Sequence, residues 1–433
     1  MTSSQPHPRR QSLRWMPLDN AAKIYPAARS QKWSNVFRLS ATLTEEVDRE
    51  VLESALEAVL PRFPSICARL RRGVFWYYLQ QMPSPPELRE ESSYPLTRMS
   101  KAETRRCAFR VLVYRRRIAV EFFHSLTDGN GGLIFLKTLV AQYLQKKYGV
   151  AIPASQGVLD LHQAPSDEEL EDSFPKFAGG AAASRDKTDA WRLSGTPEPD
   201  GYHHLTCLEL PADRVAEKAG EYGVSVTTFL CAAMMTALQN LQKIQVPNPR
   251  RRDAIKVLIP VNLRRIFPSS TLRNFVLYTT PEIDPRLGEY NFREICDVVQ
   301  HRMGLEVNAK YMSSLIETNV RNERMMALKL MPLFVKNIAM KLVFQAVGER
   351  KSCLSLSNLG KIALPEAMEP YVERIDFILG VQATAPYNCG ILSYGNHLNI
   401  NIIRNIQEPA LEYHLHCVLR DMGLPVQVRS NHR

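Results

Sequence analysis

The chain has 433 residues, of which 45% are hydrophobic, and a formal net charge of +11 from 55 basic and 44 acidic side chains. This length suits two or three domains, and the apolar content excludes a disordered chain. The basic residues are dispersed, with short clusters at Arg71-Arg72, Arg115–Arg117 and Arg250–Arg252, so we expect no nucleic-acid-binding tail. These clusters are interpreted as solvated turns, or as groups that attract a small ligand carrying phosphates.

The cysteine pattern and the N-terminus indicate a cytoplasmic protein. The eight cysteines are scattered and form no C-x-x-C pair, which is typical of core thiols in a reducing compartment. The first fifteen residues are polar and basic, so no secretory signal is expected. Tyr222–Gln242 lacks charges over nearly a membrane-spanning length, but its Ser, Thr, Asn and Gln content favours a buried helix. His203-His204 and the pair His414 and His416 lack further ligands at suitable spacing, so we interpret them as ordinary surface or helix histidines and expect no metal site.

Hydrophobic periodicity predicts alternating strands and helices in the first half of the chain. The predicted strands are Ser34–Leu43, Phe75–Gln80, Phe109–Tyr114 and Ile118–His124, the last two forming a hairpin across Arg115–Arg117. The predicted helices are Asp48–Leu60, which Pro61 ends, and roughly Gly131–Lys146, in which apolar residues recur at i, i+3 and i+4.

A stretch rich in Pro, Gly, Ala, Ser and acidic residues separates the two halves, so we predict domains at 1–165 and 203–433 joined by a crossover linker at 166–202. The predicted strands of the second half are Leu205–Leu210, Ala254–Val261, Asn274–Thr280, 352–357, 374–381, 388–394 and 397–403. Its predicted helices are Asp213–Tyr222, Val226–Leu241, most of Phe292–Val347, and Glu408–Met422. The similar order of blocks in both halves permits a duplicated fold without proving one.

Leu330–Phe344 is apolar almost all round. We favour a buried helix for this segment. The alternatives are a wall of an acyl tunnel or a patch that touches lipid, which would make peripheral lipid contact without a transmembrane span.

The strongest functional signal is Glu121–Leu136, in which His124 ends a predicted strand and Asp128 and Gly129 precede a predicted helix. A rigid strand end is a suitable place for a general base, because neutral imidazole takes a proton from an alcohol, thiol or amine near neutral pH. Alternatively, His124 is an ordinary polar residue at a sheet edge and Asp128 is only the N-cap of the helix.

His124-Ser125-Leu126-Thr127-Asp128-Gly129 resembles the H-x-x-x-D-G motif of the chloramphenicol acetyltransferase-like superfamily. Ile259–Arg264, Arg273–Phe275 and Ser357–Gly360 resemble further segments of that superfamily, and Leu18–Pro26 is similar to the start of bacterial alcohol acetyltransferase-like proteins. Phe123 stands where many condensation domains and wax-ester synthases have a second histidine, and the plant D-F-G-W-G signature is missing. These branches are therefore disfavoured.

The resemblance implies an α/β fold of two acetyltransferase-like domains, each a mixed sheet flanked by helices, in a V with a tunnel at their interface. It implies that His124 is the general base and that Asp128 is chiefly structural and pairs with an arginine, for which we choose Arg264. Ser357 and Asn358, supported by Gly129, are candidates for the oxyanion site or, equally, for capping a strand end.

The implied activity is an acyl-CoA-dependent acyltransferase, most simply acetyl transfer from acetyl-CoA to an alcohol or amine acceptor, with no permanently bound cofactor. Two alternatives stay open. One is a condensation-like acyltransferase that takes its acyl donor from a carrier protein. The other is a non-catalytic module that retains the fold, against which the intact His124 and Asp128 argue.

Overall fold

The computed structural model describes residues 13–28, 35–183, 188–199, 201–324, 331–347, 351–382 and 385–431, and side chains are described within these ranges except at 28 and 341–347. Within these ranges the chain forms three β-sheets and flanking helices. Ser34 and Leu330, where two predicted elements begin, lie outside the described residues.

The strands are β1 (Trp15–Pro17), β2 (Val36–Leu43), β3 (Ala68–Arg72), β4 (Tyr77–Gln81), β5 (Arg89–Glu90), β6 (Phe109–Tyr114), β7 (Arg117–Phe123), β8 (His204–Pro211), β9 (Ile255–Asn262), β10 (Val276–Thr279), β11 (Glu282–Ile283), β12 (Leu354–Ile362), β13 (Val372–Ile378), β14 (Tyr387–Tyr394), β15 (His397–Arg404) and β16 (Gln427–Ser430). The helices are α1 (Ile24–Ala28), α2 (Arg49–Val59), α3 (Lys101–Arg106), α4 (Gly129–Tyr148), α5 (Asp167–Leu170), α6 (Phe174–Phe177), α7 (Ala212–Glu221), α8 (Val226–Gln245), α9 (Phe292–Glu306), α10 (Ala309–Arg324), α11 (Leu333–Val347) and α12 (Ala410–Asp421).

The first sheet has the strand order β13-β2-β7-β6-β5 and carries the motif strand β7 at its centre. Its edge strand β13 comes from the second half of the chain and pairs antiparallel with β2, with Ile375 opposite Ala41. Helices α2 and α4 pack together beside this sheet and share one hydrophobic core with it. The domain limits drawn from the sequence stay a prediction, but the second half clearly completes the first sheet.

The second sheet has the order β10-β9-β12-β14-β15-β8-β16, with β11 also paired to β9. Strand β12 runs parallel to both β9 and β14, whereas the other pairs are antiparallel. Helix α8 packs on this sheet and against α9 and α12, so a second core forms around it. Strand β9 is largely buried, which explains its nearly continuous apolar sequence.

A short sheet of order β1-β4-β3 extends the first half, and β3 was not predicted from the sequence. Among the described residues, no single helix combines the length and apolar character needed to cross a bilayer. Helices α7 and α8, which bend by 83° at their junction, reach that length and composition only when taken together.

Two sequence predictions about burial are wrong. Within residues 333–340, the part of α11 whose side chains are described, the helix is not buried as expected, because Phe334 and Ile338 are 60% and 62% exposed. Leu333 and Lys336 are buried on the other side of this part, and apolar composition does not reveal which side of a helix its neighbours cover. His204 is not a surface or helix residue either: it lies buried on β8, where Nε2 is 2.6 Å from a Glu198 carboxylate oxygen.

Candidate active site

His124 lies one residue beyond the end of β7, and the sheet fixes its backbone. Its N–H donates to the carbonyl oxygen of Asn35 at 2.8 Å, immediately before β2. The imidazole stacks on the ring of Tyr25, with centroids 4.5 Å apart, and meets the ring of Phe37 edge-on at 5.0 Å. The side chain is half-buried. A half-buried ring between two aromatic rings has a defined orientation, as a positioned base requires.

The side chain of Asn274 contacts His124 at two points. Its Nδ2 donates to the carbonyl oxygen of His124 at 3.0 Å and to Asp19 Oδ2 at 3.1 Å. Because both partners are pure acceptors, the amide orientation is determined, and Oδ1 faces His124 Nδ1 at 3.0 Å. An amide oxygen only accepts, so Nδ1 carries the proton and donates it to Asn274. The lone pair of the neutral ring therefore lies on Nε2, the atom that would accept a proton from a substrate.

Asp19 fixes the position of Asn274 through hydrogen bonds. This carboxylate is fully buried, and it accepts from the backbone N–H groups of Ala22 at 2.7 Å and of Asn274 at 3.3 Å. Burial raises the pKa of Asp19, and the guanidinium of Arg273, with Nε 3.7 Å from Oδ2, opposes that effect. Asp19 thus links the loop before α1 to the segment before β10.

Burial lowers the pKa of His124, and this effect outweighs the opposing contributions of Asp128, Asn274 and Asp19. A lowered pKa keeps the imidazole neutral, and hence able to accept a proton, at pH values below the usual 6.5 for histidine. The site is therefore electrostatically suited to a base that works near neutral pH.

Asp128 does not point its carboxylate at a substrate, because both of its oxygens are occupied by the protein. Oδ1 accepts from the N–H groups of Asn130 and Gly131, each at 3.1 Å, and so caps α4. Oδ2 accepts from the N–H of Phe275 at 2.9 Å and from Arg264 Nη1 at 2.8 Å. The structure thus places Arg264 against Asp128, the pairing that the resemblance implied.

Arg264 also binds residues 271–273, before β10, and holds them beside the turn that carries His124 and Asp128. Its Nε donates to the carbonyl oxygen of Thr271 at 2.8 Å, and its Nη2 donates to that of Arg273. Its Nη1 also donates to Asn262 Oδ1 at 3.2 Å, so the planar guanidinium reaches four partners in a fixed geometry that a lysine could not reproduce. Residues 271–275, on the second sheet's side, are thereby held against the strand-to-helix turn that carries His124.

Two glycines allow this close approach. A Cβ on Gly131 would lie 2.2 Å from Thr127 Oγ1 and 2.3 Å from the carbonyl oxygen of Leu272. A Cβ on Gly129 would lie 3.0 Å from a methyl group of Leu359 on β12. Gly131 is thus required for the packing of α4 on residues 271–275, whereas Gly129 makes room for β12.

Ser357 and Asn358 lie within β12, which continues to Ile362, so neither caps a strand end as the alternative role required. The Leu359 contact places this part of the strand beside the start of α4. Asn358 Nδ2 donates to Thr227 Oγ1 at 3.1 Å, and its Oδ1 accepts from the N–H of Gly360 at 2.8 Å. Among the described residues, neither side chain hydrogen-bonds to His124. Their part in an oxyanion site stays a prediction.

Two cavities of about 350 Å³ lie elsewhere in the molecule. One is lined in part by Arg404 and Glu412, and the other by Tyr387 and Ile406. Neither borders His124, so the predicted tunnel at the domain interface also stays a prediction.

Sequence reasoning missed Asn274 and Asp19 as site residues. Both lie in segments that the resemblance had singled out, Arg273–Phe275 and Leu18–Pro26, but no pattern connects either residue to His124. Asn274 is 150 positions from His124 along the chain, and Asp19 is 255 positions from Asn274. The resemblance of these two segments was the signal that could have found both residues.

No protein-family model and no curated protein sequence matches this chain. Solved structures do match. The TRI3 trichothecene 15-O-acetyltransferase from Fusarium sporotrichioides is 12% identical, with 94% of each chain covered and a TM-score of 0.59. The first condensation domain of the calcium-dependent antibiotic synthetase, in complex with a substrate analogue, is 12% identical, with 94% of this chain and 95% of that one covered and a TM-score of 0.59.

The X-domain from teicoplanin biosynthesis, in its complex with OxyB, is 14% identical, with 97% of this chain and 94% of that one covered and a TM-score of 0.53. At these identities the likeness concerns the fold alone. It confirms the predicted fold class, the two-domain chloramphenicol acetyltransferase-like or condensation fold, over nearly the whole chain.

Proposed function

We propose that this protein is an acyl-CoA-dependent acyltransferase that moves an acyl group, most simply acetyl, to the hydroxyl group of an alcohol, with His124 as general base. The observation that carries the proposal is the hydrogen bond from His124 Nδ1 to Asn274 Oδ1, which places the lone pair of the neutral ring on Nε2. The lowered pKa of the ring supports it, because the base is then neutral at working pH.

In the proposed reaction, Nε2 of His124 accepts the proton of the acceptor hydroxyl as its oxygen attacks the thioester carbonyl. The tetrahedral intermediate carries its negative charge on the former carbonyl oxygen, for which Ser357 or Asn358 is the proposed donor. When the intermediate collapses, the carbon–sulfur bond breaks and the thiolate of coenzyme A takes the proton from His124. The ring returns to its neutral form, and no covalent acyl-enzyme is needed.

Asp128 and Arg264 act only on geometry in this proposal. Asp128 caps α4 and Arg264 ties residues 271–275 to it, so the pair sets the distance between His124 and Asn274. Replacing either residue is expected to reduce the rate by misplacing the base. A shift of 1 Å at such a site can cost about 10²-fold in rate.

The test is product analysis by mass spectrometry after incubation of a panel of acyl-CoAs with mixed alcohols and amines. We expect the unaltered protein to form an acyl ester. In His124→Ala, the rate of ester formation should fall by roughly 10²–10⁴-fold. His162→Ala is the matched control, because His162 lies far along the chain from the motif and its ring is exposed. Unchanged turnover in His124→Ala, with the protein still folded, would refute the assignment.

A carrier-protein-bound acyl donor is the second candidate, and the likeness to a condensation domain favours it. The same assay separates the two: transfer from an acyl-carrier protein but from no acyl-CoA selects this alternative. The third candidate is a non-catalytic module that binds another protein, and the X-domain that matches this chain was solved in a complex with OxyB. Any His124-dependent transfer excludes it.

A further inference from the structure

Five apolar side chains protrude from one end of the molecule, and we call this surface the apolar tip. It consists of two residues in the turn between β3 and β4 and three in the first turns of α11. These are Val74 (74% exposed), Phe75 (44%), Phe334 (60%), Val335 (36%) and Ile338 (62%). Large apolar side chains grouped in this way mark an interaction surface, whereas scattered ones do not.

The apolar tip is held on a fixed support. The N–H of Leu333 donates to the carbonyl oxygen of Val74 at 3.1 Å, which joins the helix to the turn. Lys336 Nζ donates to the carbonyl oxygen of Phe75 at 3.0 Å and lies 3.6 Å from the centroid of the Trp76 ring. The exposed side chains are therefore presented by hydrogen-bonded backbone, and their exposure is a built feature of the fold.

Basic residues border the apolar tip, and a nearby acidic side chain, Glu323, is paired with Lys23, whose Nζ lies 5.4 Å from the centroid of the Trp76 ring. Strand β3 carries Arg69, Arg71 and Arg72, and Arg72 is exposed. The segments 68–82 and 331–340 contain no Asp or Glu. On β1, which pairs with β4, Trp15 is 62% exposed and stacks on Tyr78, with centroids 4.8 Å apart. Indole and phenol rings of this kind favour the boundary between water and apolar surroundings.

We propose that the apolar tip docks this protein on an anionic lipid bilayer. Phe75, Phe334 and Ile338 would enter the boundary between headgroups and acyl chains, and the β3 arginines would pair with lipid phosphates. A protein partner fits less well, because a stable protein interface needs a complementary surface of roughly 1,000 Å² or more. A bilayer accepts protruding side chains without a matching shape.

The proposal does not depend on the proposed catalysis, because the apolar tip and the imidazole are separate groups. They are nonetheless close in the fold. Helix α11 packs against α1, and Tyr25 of α1 stacks on His124. Docking at the apolar tip would therefore bring the lipid surface to the side of the molecule on which α1 covers the candidate base.

The test is co-sedimentation of the full chain with vesicles of phosphatidylcholine alone or of phosphatidylcholine mixed with phosphatidylserine. We expect binding to the mixed vesicles, weakened by salt, and little binding to the neutral ones. The double variant Phe75→Ser and Phe334→Ser should reduce partitioning at least tenfold. The matched control is Leu287→Ser, which removes a side chain that is 80% exposed but distant along the chain.

The charge contribution has its own pair of variants. Arg71→Gln with Arg72→Gln should lower partitioning into mixed vesicles by roughly fivefold per arginine. Arg250→Gln with Arg251→Gln removes the same charge from an exposed turn and should leave binding unchanged. His124→Ala should also bind vesicles normally, which keeps this test separate from that of the proposed function.

Four results would overturn the proposal. The first three are no vesicle binding, equal binding to neutral and mixed vesicles, and equal losses of binding in the variants and their controls. The fourth is that the same residues bind an acidic carrier protein and not the vesicles. Circular dichroism and thermal melting of each variant establish that it is folded. A misfolded double serine variant is replaced by Ile338→Ser, whose side chain is 62% exposed.

Discussion

Replacing Asn274 by alanine should change the protonation state of the candidate base before it changes anything else at the site. The substitution removes the acceptor of His124 Nδ1 and both donations from Nδ2. A neutral hydrogen bond contributes about 1 kcal/mol net, so the preference for the Nδ1–H tautomer should fall roughly fivefold. We expect the rate constant of acyl transfer to fall by about five- to tenfold, less than in His124→Ala.

The pH dependence of Asn274→Ala has a defined sign. Asn274 raises the pKa of His124 against the larger effect of burial, so its removal lowers that pKa further. The acidic limb of the rate profile should therefore move to lower pH, although the maximum rate falls. Nitrogen-15 NMR of the imidazole measures both effects directly, as a mixture of tautomers and a lower titration midpoint.

Asn388→Ala is the matched control for lost stability. Asn388 is also a buried amide, and it accepts from the N–H of Ser355 at 3.0 Å and donates to the carbonyl oxygen of Gly380, with no contact to His124. Both variants should lose about 2–3 kcal/mol of unfolding free energy, since each leaves buried polar partners unsatisfied. If Asn274→Ala keeps the wild-type tautomer and pH profile, or if Asn388→Ala loses as much activity, the reasoning is refuted.

Three further outcomes are expected. In the unaltered protein, the acidic limb of the rate profile should have its midpoint below 6.5, because burial lowers the pKa of His124; a midpoint at or above 6.5 contradicts this. Arg264→Met should cost about 3–5 kcal/mol in denaturant unfolding, since it strands the Asp128 carboxylate, which is 2% exposed; a loss below 1 kcal/mol would count against the buried pair. Gly131→Ala should give little folded protein, because its Cβ meets two atoms within 2.3 Å, whereas Gly149→Ala, with φ 66° and open space, should cost only about 1 kcal/mol.

The sequence was most informative where local rules decide the structure. Strand β6 has the predicted limits, Phe109–Tyr114, because alternation and the following turn define it without help from distant residues. Helix α4 begins directly after Asp128 because that side chain caps it, as its position before the glycines suggested. The predicted position of His124 at the end of a strand follows from the same local signals.

Contacts between residues that are distant along the chain could not be predicted from sequence patterns. Nothing in the periodicity of β13 indicates that it joins the first sheet, since a strand's own residues do not specify its neighbour. The tautomer of His124 depends on Asn274, which a separate turn delivers from the second half. The exposure of α11 depends on which neighbours cover it, and the amino-acid composition of a helix does not predict its neighbours.

The position of β13 also constrains the order in which the protein acquires its structure. The outer strand of the first sheet is residues 372–378, so β2 keeps one open edge until the ribosome has made most of the chain. During synthesis, that open edge can pair with other nascent polypeptides, which is a known hazard of unpaired strands. A fragment ending at residue 202 should for this reason aggregate when expressed alone, and supplying residues 203–433 in trans should rescue its solubility.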